Sequence, residues 1–511
     1  MNNNKTIAKN TLYLYFRMMV IIAINLFAVR IILKVLGIED YGIYNVVGGI
    51  VTLFSFLGSS LSSGAQRFFA YEIGQEDYNQ LQKVFSMTVM VYCGMAFMIF
   101  VLLETVGVWF LNNRMNIPFH RLSAANWVFQ FSVLTFILNI IMIPYNAAII
   151  AWERMAFFAY LSIVEAVSKL LCVVSLIYIV GDKLVIYAAI VFIITCILFC
   201  IYRLYCIRNL RGCEIVWHYN PVLCKSLLGY SGWNMIGSIA LILRNQGVNI
   251  VLNLFFTPIV NAAHTIGQQI NGIISQFISN IYMSTRPQIT KYYAVGQKEK
   301  MWSLVFSSSK FSYYLLLFLC LPLFLEIEIL LRLWLGEVPE YTSVIVRLLL
   351  IVLLIETTVN QIVSVFQAAN KIRKFQSCSS FVLLLNIPIS YVFLKYTSFV
   401  MVPYIVSVAL SCVYVVSLLW IAYLEVGLNI KKYISDILFK VLLISFLSAI
   451  MPFLFCQYVH SSLIRFLYTC VLSLLSTSLV IWSVGLTHME KEYIRRFFSE
   501  YKIKIIKNGK A

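Results

Sequence analysis

Acid is scarce in this chain: Asp and Glu number 21 among 511 residues against 39 Lys and Arg, and charged residues of both signs make up only 12%. Soluble domains carry about 25% charged residues, so a water-soluble globule is excluded. A hydrophobic content of 61% places the chain among all-α polytopic membrane proteins. Histidine is also sparse. The five present (His120, His218, His264, His460 and His488) are scattered, with no HExxH pair, nucleophile elbow or phosphate-binding loop. No catalytic residue, metal site or cofactor is expected, and no enzymatic activity. Twelve cysteines occur without a CxxC pair or a metal-spaced cluster, which reads as free structural thiols. The formal charge of +18 would suit nucleic acid, but the basic residues punctuate apolar runs and form no continuous basic surface with stacking aromatics. A nucleic-acid partner is not expected. No cleavable signal peptide is evident, because the apolar stretch from Thr11 is too long for an h-region.

What the chain has is a succession of apolar runs. A helix needs about 20 residues to cross ~30 Å of hydrocarbon. Such runs lie at 11–36, 42–65, 84–111, 123–151, 155–180 and 184–202, then at 228–256, 259–285, 304–331, 342–370, 376–394, 398–424, 435–459 and 463–487. They predict fourteen transmembrane helices. An even number puts both termini on one side, and the basic tails, with Lys5 and Lys9 at the start and Lys491, Arg495, Arg496 and Lys502 near the end, mark that side as cytoplasmic. The longest cytoplasmic connection, Arg203 to Ser226, sets Arg203, Arg208, Arg211 and Lys225 against a single Glu214. The largest outer loop is 111–122. Neither has room for a soluble catalytic domain.

The first twelve helices repeat. Tyr71, Gly74 and Gln75 follow the second helix as Tyr293, Gly296 and Gln297 follow the eighth, and the outer turn from Asp40 to Tyr44 matches the stretch from Val260 to His264. Each half has an even helix count, so the two are parallel repeats with the cargo site between them. The expected organisation is a first lobe at 1–208, a basic cytoplasmic linker at 209–227, a second lobe at 228–426, two extra helices at 427–490 and a basic cytoplasmic tail at 491–511.

Seven cations read as embedded in the spans: Arg17, Arg30, Lys169, Arg244, Lys310, Arg347 and Lys440. A cation at the bilayer centre costs about 2.5 to 3.5 kcal/mol on insertion scales, so it usually faces protein or water and finds a partner. Only Glu104, Glu165 and Glu356 are comparably deep. The imbalance points to an anionic cargo, with Arg17, Arg30, Lys169, Arg244, Lys310 and Arg347 as candidates to line a cationic lumen. Arginine offers a planar fork that suits phosphate. The other reading is snorkelling, with long stems lifting charge to the interface, for Arg17, Arg30 and Lys440 above all. Glu165 and Lys169, at i and i+4, suit a local pair.

On the eighth helix, Asn261, His264, Gln268, Asn271, Ser275 and Ser279 recur every three or four residues and make a polar face. His264, Gln268 and Asn271 are candidates for a hydrated, sugar-lined lumen; interhelical hydrogen bonding is the alternative. Glu356, followed by Thr357, Thr358, Asn360 and Gln361, is the first candidate for coupling to H⁺ or Na⁺, with Glu104 second. On the 111–122 loop, Arg114, His120 and Arg121 are the nearest approach to an enzymatic grouping.

Three stretches carry a family resemblance: Lys9 Asn10 Thr11 Leu12, then Leu36 Gly37 Ile38 Glu39 Asp40 Tyr41 Gly42 Ile43 Tyr44, then Gln66 Arg67 Phe68 Phe69 Ala70. With the two six-helix lobes and the extra pair, the chain resembles the polysaccharide and O-antigen flippases of the multidrug, oligosaccharidyl-lipid and polysaccharide exporter superfamily. The resemblance implies two pseudo-symmetric lobes in a V that alternates between inward and outward openings. The implied cargo is an undecaprenyl-pyrophosphate-linked oligosaccharide moved to the outer leaflet of the bacterial cytoplasmic (inner) membrane, its phosphates held in a cationic lumen. Membrane lipid and other polysaccharide-assembly membrane proteins are the implied partners. A cation-coupled multidrug exporter of the same fold and a membrane glycan polymerase or ligase are the alternatives.

Overall fold

A computed structural model describes residues 3–52, 54–113, 118–178, 181–216, 219–256, 258–459, 463–488 and 490–492. Every regular element among them is helical: α1 (Asn3–Thr52), α2 (Ser55–Gln75), α3 (Tyr78–Leu102), α4 (Val108–Asn113), α5 (Leu122–Ala151), α6 (Met155–Ser175), α7 (Lys183–Asn209), α8 (Pro221–Phe255), α9 (Pro258–Ala294), α10 (Lys298–Leu335), α11 (Thr342–Ala368), α12 (Ile372–Leu384), α13 (Asn386–Tyr396), α14 (Val402–Val426), α15 (Ile430–Tyr433), α16 (Lys440–Tyr458) and α17 (Leu463–Val480). All fourteen predicted spans fall on these helices. The first two share α1, which breaks at Gly37 (φ 81°, ψ 171°), a conformation an L residue rarely adopts. The eleventh span is divided between α12 and α13, and π turns extend α3, α16 and α17.

Twelve helical segments among the described residues are long and apolar enough to cross a membrane. The second and eighth predicted spans lie on α2 and α9, which are helical but polar, with Ser59, Ser60, Ser62 and Ser63 on one and Asn261, His264, Gln268, Asn271 and Ser275 on the other. Hydrocarbon as solvent inverts the usual burial pattern. The inversion is clearest on α17, whose buried residues are Thr469, Ser473, Ser476 and Thr477, while Leu463, Ile464, Leu467, Val471, Leu475 and Leu479 are exposed. Local chemistry requires one of those hydroxyls. Pro452 has no N–H to give the Ser448 carbonyl four residues earlier, and Ser476 on α17 donates to that oxygen at 2.9 Å.

Helix starts follow sequence as well. Asp77 accepts from the Gln80 N–H at 2.9 Å to open α3, Asn220 accepts from Val222 at 3.0 Å to open α8, and Asn429 accepts from Lys432 at 3.1 Å to open α15. Such side-chain acceptors satisfy first-turn N–H groups that no carbonyl reaches.

Packing divides the chain into two compact units. The first comprises Met1–Ile242, Asn280–Met301 and Ser364–Ser380, and the second Leu243–Ser279, Trp302–Val363 and Phe381–Ala511. Their limits cut across the expected 1–208 and 228–426 lobes, because the first unit takes in ends of α9, α10 and α11 along with the start of α8. Its core includes Leu61, Phe69, Phe85, Tyr92 and Tyr145, with Phe85 against Phe69 and Tyr145 at ring separations of 5.5 Å. The second unit packs Val248, Leu252, Val260, Ala263, Ile345, Leu349 and Tyr404 into one cluster.

Within the first unit, helices of the first sequence half bond to those of the second at several points. Thr11 meets Ser284 at 2.7 Å, Ser60 meets Ser238 at 3.0 Å, and Gln75 donates to the Ala294 carbonyl. Glu153 accepts from Gln288 at 2.7 Å and pairs with Lys291. Gly74 permits this approach: a Cβ there would lie 2.9 Å from the Lys291 Cα. Overpacking of this kind costs about 1 to 3 kcal/mol, so Gly74→Ala should lower the thermal midpoint of the purified protein. Gly58→Ala, on the same helix with nothing within 4 Å, should leave it unchanged or raise it slightly.

Candidate functional site: buried cations and their partners

Most embedded cations are already matched to acids. On α6, Lys169 reaches Glu165 one turn away at 2.6 Å. Arg244 on α8 donates through Nη1 to Glu356 Oε1 on α11 at 3.1 Å. Lys310 on α10 contacts both oxygens of Glu490 at 2.7 Å. Arg347 gives Nε to the Phe324 carbonyl at 3.0 Å and Nη2 to Glu328 at 3.3 Å, and Lys440 lies 3.7 Å from Asp436. The expected surplus of unmatched positive charge is therefore corrected for Arg244, Lys310 and Arg347, while Lys169 makes the local pair its spacing from Glu165 suited. Three of the neutralising acids, Glu328, Asp436 and Glu490, were not counted as deep residues. The side chain of Arg30 lies outside the described residues. Arg17, between α1 and α6, donates weakly to Ser162 at 3.5 Å and stacks over Phe158 at 4.9 Å, and its Nε has no partner.

The polar candidates separate too. His264 is buried against the apolar core of the second unit, with Nδ1 2.9 Å from the Tyr404 hydroxyl. It is a core residue, which corrects its placement in a lumen; Tyr404 fills the polar need that sequence assigned to cargo. Gln268 and Asn271 are half-exposed, and the Asn271 Oδ1 has no partner. Glu104, in the π turn Leu103–Gly107, accepts from Gln130 at 2.9 Å and keeps Oε1 unpartnered. Glu356 takes a second contact, from Ser411 at 3.3 Å.

On the 111–122 loop, Arg121 is fully engaged. It grips Asp40 through Nε at 2.9 Å and Nη2 at 2.5 Å, and Asp182 through Nη1 at 2.8 Å. A fork closed on two carboxylates is a clasp between segments, so Arg121 is committed to structure, while Arg114 lies outside the described residues.

Two cations that the span boundaries excluded emerge in the first unit. Arg67, on α2, donates Nε and Nη2 to the Gln367 and Ala368 carbonyls at 3.2 and 3.3 Å, where the C-terminal end of α11 favours positive charge. Its guanidinium also stacks over Phe68 at 4.6 Å and Tyr71 at 5.2 Å. The Arg286 side chain, on α9, forms no ion pair among the described residues, and its Nε is buried without a hydrogen-bond partner. Both act electrostatically on Tyr230 of α8, whose hydroxyl Asn234 and Ser63 approach without completing a hydrogen bond. Glu72 is within electrostatic range of Arg67 but forms no ion pair with it. The Ser231 Oγ and Gln367 Oε1 beside them are buried without partners. Gln367 Oε1 is an unmet acceptor, but Arg286 Nε, Asn234 Nδ2 and the Tyr230 and Ser231 hydroxyls are unmet donors around two guanidinium groups, which is chemistry for an anion.

A family model described as "Polysaccharide biosynthesis protein" matches residues 7–293, more than half of the chain. The chain belongs to this family of polysaccharide-biosynthesis membrane proteins. No curated protein matches it. Among solved structures, a MATE transporter in complex with MaD3S shares 15% identity over 82% of this chain and 95% of that one, with a TM-score of 0.69. An outward-facing multidrug-resistance MATE family transporter of the MOP superfamily shares 13% over 82% and 97%, at 0.67. A MOP superfamily transporter from Pyrococcus furiosus Vc1, described as having a binding pocket of reverse polarity, shares 14% over 83% and 99%, at 0.65. At these identities the likeness establishes the fold: this member of the polysaccharide-biosynthesis family has the MATE architecture.

The Lys310–Glu490 pair generates a pH dependence. Burial raises the Glu490 carboxyl's affinity for protons, but Lys310 and the Thr487 N–H outweigh it and hold the group below its ordinary value. A carboxyl depressed on folding stabilises the native state at neutral pH and loses that contribution as pH falls through the folded value. Glu490→Gln should lower the thermal midpoint at pH 7, corresponding to about 1 to 3 kcal/mol for leaving Lys310 without its acid, and should flatten the acid side of the stability profile.

Proposed function

We propose that this protein is a flippase that carries an undecaprenyl-pyrophosphate-linked oligosaccharide, the repeat unit of an O-antigen, capsule or exopolysaccharide, from the cytoplasmic to the outer leaflet of a bacterial cytoplasmic membrane by alternating access. The observation that carries the reading is the convergence of Arg67 and Arg286 on Tyr230 with unmet donors and no acid bonded to either. A pyrophosphate supplies the missing acceptors, and arginine binds it through two parallel hydrogen bonds. Tyr230, Asn234 and Ser63 add neutral hydroxyl and amide groups suited to the headgroup and the first sugar. Arg17 is a further cation available to the lipid phosphates.

Family membership supports polysaccharide biosynthesis, and the fold supports transport rather than glycan polymerisation or ligation. The MATE architecture also serves multidrug export, which for cationic drugs calls for unengaged acid facing the cargo. Here Glu153, Glu326 and Glu356 each bond a basic residue, which favours an anionic cargo. Glu104, with one carboxylate oxygen unpartnered, is the acid open to coupling with H⁺ or Na⁺.

Arg286→Ala and Arg67→Ala should each reduce surface glycan at least tenfold while the protein persists in the membrane, and lipid-linked units should accumulate on the inner leaflet. Lys169→Ala, which breaks a pair one turn long, should retain most surface glycan. Export at the wild-type level in both arginine variants would rule out the cluster as the cargo site.

A further inference from the structure

In the second unit, Arg244 and Glu356 line a small cavity with Asn386, Ser407, Ser411 and Tyr414. Arg244, Glu356 and Tyr414 are its titratable groups. Asn386 and Ser407 are already committed, because Asn386 donates to Ser407 at 2.9 Å and to the Pro403 carbonyl at 3.2 Å, and accepts from Ser390 at 3.2 Å. The charged pair is held far more loosely. One Arg244 nitrogen meets one Glu356 oxygen at 3.1 Å, and that same oxygen takes Ser411 at 3.3 Å. The second Glu356 oxygen and the rest of the guanidinium fork have no bonded partner among the described residues. Both side chains remain partly open, at 17% and 21% exposure.

A fork engaged by a single contact is poorly satisfied next to the two parallel bonds that a phosphate oxygen pair provides. A carboxylate that loses its cation in a low-dielectric cavity favours its protonated form. We infer that Glu356 is a displaceable stand-in for a phosphate-type anion on Arg244. When the anion docks, the Arg244–Glu356 bond breaks, the guanidinium closes on the anion, and Glu356 takes one proton from solution. The ion movement of this site is then a proton taken up with the anion, and the resident cation at Glu356 is Arg244 itself. This inference rests on the anionic cargo proposed above and adds a role to Glu356 that a coupling residue for a free cation does not have.

The two residues then have opposite effects on binding. Inorganic pyrophosphate and farnesyl pyrophosphate are titrated into the full-length protein in detergent near pH 6.5, by calorimetry in two buffers of different ionisation enthalpy. The Arg67 and Arg286 cluster, which should bind the same probes, is silenced by carrying Arg67→Ala and Arg286→Ala in every protein compared. In that background Glu356→Gln should bind several-fold more tightly, because the amide competes less well for the guanidinium, and should take up about one proton fewer per anion than the protein with Glu356 intact; the difference cancels the ionisation of the phosphate itself, whose second pKa is about 6. Arg244→Ala should bind at least tenfold more weakly, and the Arg244→Ala, Glu356→Gln combination should match it. Binding of both probes identifies a site for phosphate-type anions from either source; binding of the prenyl compound alone assigns it to a lipid headgroup. Weaker or unchanged binding in Glu356→Gln, or equal proton uptake with and without Glu356, would overturn the exchange. So would the absence of binding by either probe. The glycan measurements on Arg67 and Arg286 judge the flippase reading independently.

Discussion

A charge among helices in hydrocarbon has no water to fall back on, and that constraint organises this molecule. Lys169, Arg244, Lys310, Arg347 and Lys440 each have an acid within reach. Leaving either member of such a pair alone is far costlier than the pair itself is stabilising. The pairs therefore act chiefly as constraints on which helix sits where. Lys310 ties α10 to the segment after α17, and Glu326 does the same further along α10, where Arg465 lies 2.8 Å away and Thr469 donates at 3.0 Å. The helices beyond the repeat are thus fastened to it at two levels.

Once those pairs are set aside, Arg17, Arg67 and Arg286 stand out. The groups that contact them are aromatic faces, hydroxyls and helix-end carbonyls; Glu165 and Glu72 act on Arg17 and Arg67 from a distance without forming an ion pair. Those groups orient a guanidinium without neutralising it, so its field stays available to a ligand. The first unit also holds the bonds that join the two sequence halves, including Glu153 with Lys291 and Gln288. Arg67 and Arg286 lie in the same packed unit as those bonds.

The helical architecture was almost wholly legible in the sequence. Apolar runs gave every span, and the break at Gly37 falls where the outer turn was expected. The site was legible only in part, for a geometric reason. Hydropathy windows end where polarity begins, so Arg67 and Arg286, just beyond the runs 42–65 and 259–285, were not counted as embedded, although Arg67 lies within a quoted family motif. Glu490 lies beyond the run 463–487, and Glu328 and Asp436 sit close to the ends of their runs, yet all three side chains reach cations that looked solitary. Pairing between distant helices, as for Arg244 with Glu356, has no local signature. The i and i+4 pair of Glu165 and Lys169 does, and it alone was anticipated. His264 shows the opposite failure: its spacing on a polar face was read correctly, but the face meets Tyr404.

The inward-facing hydroxyls of α17 make that helix fully compatible with lipid on one side only. Its Leu and Ile residues can be solvated by acyl chains anywhere, whereas Thr469, Ser473, Ser476 and Thr477 need α16 and α10 beside them, and α10 has Glu326 and Lys310 to cover. Dependence runs both ways, so removing the final pair would strip two ionised groups of their counterions rather than trim an accessory. A twelve-helix ancestor or descendant of this chain would have to rewrite α10 at the same time.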